Sequence, residues 1–245
     1  MAIAKLLKDI SEGDLQFLVT KPEPEGKTIE YKDTLPNEGI PSERVKFLSQ
    51  VSSFANTIGG DLIYGIWAKD GVPQELRGLQ ISNMDATILS LRHIISNGLA
   101  PTLRGVDIEP IELPSKPGLW AIIIRIRKSW AAPHMVTFQD HGKFYVRDER
   151  GKRAIKIDEL RAAFDLSGTT AESIRNFRAN RLMQIISGDT PIPLEENTSK
   201  LVLHIISFGA LGLTSEYDLR PLFDYNDHKT RRLTMMNTGT STSSN

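Results

Sequence analysis

The 245-residue chain is 40% hydrophobic and 24% charged, enough apolar material for one domain with an appendage or for two small ones. Its 30 basic and 30 acidic residues cancel, so net charge points to no polyanionic partner, and the lack of cysteine excludes disulfide frameworks, thiolate metal sites and cysteine nucleophiles. The first twenty residues interleave Lys5, Lys8, Asp9, Glu12 and Asp14 with apolar positions, which excludes a signal peptide or membrane span there, and a cytoplasmic location is expected.

Residues 1–20 read as helical material broken near Gly13 and restarted by Ser11-Glu12-Gly13-Asp14, which has capping-box spacing; a docking helix pair is expected. Lys27 to Lys32 alternates as a half-buried strand does, with Thr28, Glu30 and Lys32 on one face. Pro41-Ser42-Glu43 opens a helix whose apolar positions Val45, Phe47, Leu48, Val51, Phe54 and Ala55 make a wide stripe, closed by Gly59 as a left-handed cap. Asp61 to Trp67 is short and apolar, as a central strand is, and Lys69-Asp70-Gly71 turns the chain away. Ser82 or Asn83 caps a helix carrying Met84, Ile88, Leu91 and Ile95, which stops at Asn97-Gly98.

Arg104 to Glu112 and Leu119 to Arg127 form an expected antiparallel pair. In the second of them Trp120, Ile122, Ile124 and Ile126 point one way while Arg125 and Arg127 point the other. A short strand over Phe144 to Arg147 and a helix over Ile157 to Phe164 follow. A separate helix is expected from Thr169 or Thr170 to Ser187, ended by Gly188, then a strand over Leu201 to Phe208 that begins a further, incomplete unit. The order of elements gives an α+β fold, a mixed β-sheet flanked by helices with a helical carboxy-terminal extension. The expected divisions are 1–20 (docking helices), 21–168 (the main domain), 169–236 (the extension and the start of the further unit) and 237–245, a Ser/Thr/Asn-rich tail of disordered composition.

Three chemical readings compete. The Gly59-Gly60 pair follows a helix carboxy terminus, where free carbonyls and the negative dipole end disfavour phosphate, so cap-and-turn geometry is the better account. No G-x-x-x-x-G-K-[ST], G-x-S-x-G or H-E-x-x-H segment occurs, which removes P-loop hydrolysis, the common serine hydrolases and the metalloproteases. Glu25, Glu30 and Asp70 are candidate catalytic carboxylates, with Glu25 and Glu30 as ligands for Mg or Mn that would activate water against a phosphodiester. The alternative for Glu30 is a structural ion pair with Lys32 or with a basic helix residue. Lys32, Arg125, Arg127, Lys128, Lys143, Arg147, Arg150, Lys152 and Arg153 are candidate phosphate contacts, interleaved with Trp130, His134, Phe138 and Tyr145 as candidate stacking rings.

Taken together, Glu25 with Glu30-Tyr31-Lys32, the run Phe54-Ala55-Asn56-Thr57 into Gly59-Gly60, and Tyr145-Val146-Arg147 resemble the Schlafen-type AlbA_2 domain over roughly Asp14 to Asp165. The resemblance implies nucleic-acid binding, DNA or RNA, in a prokaryotic regulatory or defence setting, with no membrane role. It also implies two alternatives. One is a metal-dependent endoribonuclease resting on Glu25 and Glu30, although the family's third acidic position is occupied here by Trp67. The other is a homo-oligomer in which paired lobes enclose a duplex.

Overall fold

The computed structural model describes residues 3–188. Within them the chain runs α1 (Glu12–Thr20), β1 (Ile29–Lys32), α2 (Pro41–Ala55), β2 (Gly59–Tyr64), β3 (Ile66–Lys69), β4 (Val72–Leu76), β5 (Leu79–Gln80) and α3 (Met84–Gly98). It continues through β6 (Leu99–Ala100), β7 (Val106–Glu112), β8 (Leu119–Arg127), β9 (Met135–Val136), β10 (Lys143–Asp148), β11 (Gly151–Ala154) and α4 (Ile157–Ser187). The fold is α+β, as the order of elements predicts.

The central sheet runs β1-β2-β8-β5, with β7 on the far side of β8. β1 and β2 are parallel, joined across α2, and β8 is antiparallel to β2, β5 and β7, so the sheet is mixed. A second sheet, β11-β10-β9-β6, and the β3–β4 hairpin complete the strands. Alternation along β8 sends Ile122, Ile124 and Ile126 into a core shared with α2 and α3. Ala121 and Ile123 enter a second core on the opposite face, closed by Ile3, Ile10, Leu15 and Leu18.

That second core corrects one expectation. The face of β8 that carries Arg125 is covered by the amino-terminal segment rather than open to solvent, and Arg125 is 5% exposed. Asp61, directly opposite on β2, takes its Nε at 2.7 Å, while Lys5 O and Ile3 O accept from the two Nη atoms at 2.6 and 3.0 Å. The expected docking helix pair is one helix preceded by a 3-10 turn at Leu7–Asp9; the Ser11/Asp14 capping box is present. A second correction concerns α4, which is continuous across Thr169 and Thr170 before ending at left-handed Gly188. The expected strand at Leu201 to Phe208, the rest of 189–236 and the tail lie outside the described residues.

The single strand expected over Asp61 to Trp67 is two, broken at Gly65. β3 turns at left-handed Asp70 and Gly71 into β4, as the Lys69-Asp70-Gly71 signal predicts. α2 stops at Ala55, before the glycine pair, so the pair opens β2 rather than capping the helix. Gly59 is left-handed with φ 81°, and a Cβ on Gly60 would stand 2.5 Å from both the Phe54 ring and Thr28 O. These glycines serve close backbone packing rather than the helix cap that the sequence suggests. Gly60→Ala is therefore expected to lower stability by about 1–3 kcal/mol through overpacking, read as a lower urea midpoint with an unchanged m-value.

Candidate nucleic-acid interface

α2 lies between two layers. Its residues Phe47, Leu48, Val51, Phe54 and Ala55 enter the core, and Ser49, Gln50, Ser52 and Ser53 are buried as well. Serines survive there because their hydroxyls donate back to the helix, Ser49 to Lys46 O and Ser53 to Gln50 O, both at 2.7 Å. At the end of α2, Asn56 Nδ2 donates to His134 O (3.0 Å) and Tyr145 O (2.9 Å), and Thr57 Oγ1 accepts from Arg147 N at 2.9 Å. The Phe54 ring lies 4.1 Å from the Arg147 guanidinium carbon. The Phe-Ala-Asn-Thr and Tyr-Val-Arg segments, distant in sequence, are thus one joint that fixes β10 against α2.

Arg147 is consequently inside the protein, with a side chain 0% exposed, rather than on an open strand face. Its Nε donates to Gly26 O at 2.8 Å and its Nη2 to Glu30 Oε2 at 2.6 Å; Nη1 is buried without a hydrogen-bond partner. Glu30 is on the same side of β1 as Lys32. Its Oε1 accepts from Lys32 Nζ at 2.7 Å and from Gln50 Nε2 at 3.1 Å. Glu25 stands beside them, 3.7 Å from Lys32 Nζ, and accepts from Tyr31 N at 2.9 Å.

The two carboxylates respond oppositely to this setting. Burial pushes Glu25 up, the neighbouring Glu30 charge adds to that, and Lys32 and the Tyr31 amide only partly offset them. Burial also pushes Glu30 up, but Lys32 and Arg147 outweigh it and hold the carboxyl below the usual glutamate range. Lys152, half-buried on β11, donates to Ser49 Oγ at 2.5 Å. Burial lowers its pKa, Glu30 opposes that, and Lys32, Arg147 and Lys46 lower it further.

The three candidate carboxylates do not converge on an open metal position in this geometry. The Lys32 ammonium sits between Glu25 and Glu30 where a divalent ion would have to be, and the second Glu30 oxygen is bonded to Arg147. Asp70 is exposed at the hairpin turn, and among the described residues no three acidic, His or Cys side chains gather into a metal site. Trp67, at the third acidic position, lies under the Arg77 guanidinium at 4.5 Å. In this arrangement Glu25 and Glu30 are engaged by Lys32 and Arg147, and Asp70 is not gathered with them.

The remaining sequence candidates are scattered. Arg127 pairs with Asp107 at 2.8 Å, and Arg153 with Asp148 at 3.0 Å and Glu159 at 2.7 Å, so each is neutralised locally. Lys128 lies 5.6 Å from the Trp130 ring centre. Lys143 and Arg150 are exposed and form no ion pair among the described residues. His134, a candidate stacking ring, is buried, with its nitrogens 2.6 Å from Pro101 O and from Ser129 Oγ. The structure brings Lys32 and Lys152 together around Glu30 and adds Lys46, which the sequence reading missed. Lys46, Ser49, Gln50 and Ser53 are a polar strip at helical spacing on α2, the signal that a second covered face existed. A recess of about 180 Å³ opens beside Lys32, Lys46 and Gln50.

Among the described residues no helix is long and apolar enough to cross a membrane. No curated protein matches the chain significantly. Among solved structures the DIP2311 protein from Corynebacterium diphtheriae is similar over 60% of this chain, at 17% identity and a TM-score of 0.39. The match covers 30% of that protein, so this chain spans well under half its length. The family model described as "Schlafen, AlbA_2" matches residues 25–156, more than half of the 245, and includes the Glu30–Arg147 pair and the joint between α2 and β10. The chain belongs to the Schlafen AlbA_2 family.

Proposed function

We propose that the protein binds nucleic acid by seating backbone phosphate over the Glu30 cleft, with Lys32, Lys46 and Lys152 as its contacts and Arg147 as the buried charge beneath them. Membership of a nucleic-acid-related family supports the class of ligand. The observation that carries the site is a local surplus of positive charge. Lys32, Lys46, Arg147 and Lys152 gather near Glu25 and Glu30, with Glu43 also lining the recess beside Lys46, and the pKa of Lys152 is lowered by burial first, with Glu30 opposing and the neighbouring cations adding to it. A phosphate would relieve that mutual repulsion and release counterions. This differs from a broad basic sheet face, because most of the strand arginines are already paired with carboxylates.

Among the described residues no base-reading element accompanies the cleft, and binding through it would be tolerant of sequence. The test is fluorescence anisotropy of labelled DNA and RNA over a salt series, comparing the native chain with Lys46→Gln and Lys152→Gln. Each variant is expected to weaken binding on all sequences alike and to reduce the slope of log K against log salt by roughly 1. A native slope of zero, or variants indistinguishable from native, would end the proposal.

A further inference from the structure

A second recess, of about 320 Å³, lies between the amino-terminal half of α2, the carboxy-terminal half of α3 and Phe138. It shares no lining residue with the recess beside Lys32. Its volume is at the lower end of small-molecule sites. Arg44 projects into it, with the guanidinium carbon 5.0 Å from the centre of the Phe138 ring.

The Arg44 guanidinium is unpaired. Its side chain makes no ion pair or hydrogen bond among the described residues, and its Nε is buried without a partner. The nearest acids in sequence have other partners: Glu38, which lines the same recess, accepts from the Ser90 hydroxyl, and Glu43 accepts from Asn37 N at 2.6 Å. A planar fork of donors over a ring, with no acceptor bonded to it among the described residues, is complementary to a bidentate oxyanion. Further polar groups share the wall with Ile94 and Gly98. His93 and Asn97 line it from α3, and the Glu38 carboxylate offers acceptor capacity to a ligand hydroxyl.

Beside this wall, Gln139 and Asp140 are consecutive non-glycine residues in the left-handed region, at φ 52° and 54°. Such conformations persist where the surroundings fix them, and they cluster at ligand sites. They follow Phe138 directly and set the course of the chain as it leaves the ring that supports Arg44.

We infer that this recess is a binding site for a small hydroxylated oxyanion, a phosphate monoester or a carboxylate, with Arg44 as counter-ion, Phe138 as its support and Glu38 accepting from a ligand hydroxyl. The inference is independent of the nucleic-acid reading. A free phosphate ester and a hydroxy acid present the same chemistry to Arg44, so the test uses one of each: ribose 5-phosphate and malate.

Each compound is titrated into the full chain while the His93 imidazole resonances and the thermal midpoint are followed. Saturable shifts with a rise in midpoint are expected for at least one of the two, which identifies the source. Arg44→Gln is expected to weaken that binding at least tenfold, and Arg44→Lys, which keeps charge but not the fork, to weaken it less. Lys8→Gln, an exposed change outside both recesses, is expected to leave it unchanged. The unliganded midpoints of the Arg44 variants show whether they fold; a side chain with no ion pair to lose predicts that they do. Failure of both compounds to saturate, or binding that survives in Arg44→Gln, would overturn the site.

Discussion

Asp61→Ala is expected to destabilise the protein by about 3–5 kcal/mol, the cost of leaving a buried charge without its partner. Asp61 is 0% exposed and Arg125 6%, so neither can turn to water when the other is removed. The guanidinium would keep only the carbonyls of Ile3 and Lys5, which carry no compensating charge. Urea denaturation measures the loss. A double replacement, Asp61→Leu with Arg125→Met, is expected to recover most of it, because desolvating an ion pair is itself expensive and packed apolar groups avoid that term. A single variant within about 0.5 kcal/mol of native would show the pair to be energetically idle, as a surface substitution is.

Glu30→Ala is the second large effect, also about 3–5 kcal/mol at neutral pH, since it strands the fully buried Arg147 side chain together with Lys32. Its pH dependence is specific. The folded-state pKa of Glu30 is lowered, so its contribution is fully present above the unfolded value of about 4.3 and is lost as pH falls through the folded value. Glu25 behaves oppositely. Its folded-state pKa is raised, so its cost is present at neutral pH and is relieved as pH falls through that folded value. The gap between native and Glu30→Ala is therefore expected to close on acidification below about pH 4, whereas Glu25→Gln, which keeps the acceptor for Tyr31 N, is expected to be neutral or stabilising at pH 7. Urea midpoints at neutral and acid pH check both. A Glu30→Ala gap independent of pH would remove the charge-pair account.

What could be read from the sequence was local. The start of α2 at Pro41, the Asn83 cap whose side chain accepts from Ala86 N, the β7–β8 pair and the Asp70-Gly71 turn each depend on a few adjacent residues. The fates of Arg125 and Arg147 could not be read this way. Alternation along β8 correctly separates Arg125 from the isoleucines, yet it does not say whether the second face meets water or the residues near Ile3. Asp61 held the missing signal: a carboxylate within the apolar run Leu62-Ile63-Tyr64 needs a cation, and the strand opposite supplies Arg125. The break expected near Thr169 failed for another reason. Ser167-Gly168 weakens a helix by only about 1 kcal/mol, which thirty-one residues of helix absorb.

The attachment of Ile3 and Lys5 to the Asp61–Arg125 pair has a practical reach. In most domains the opening residues are a handle that can be shortened or fused at will. Here the backbone carbonyls of that stretch hold the guanidinium, and Ile3 and Ile10 seal one apolar face of the sheet. Clipping them would act as a cut into the interior, so versions intended for binding work are best left whole at that end.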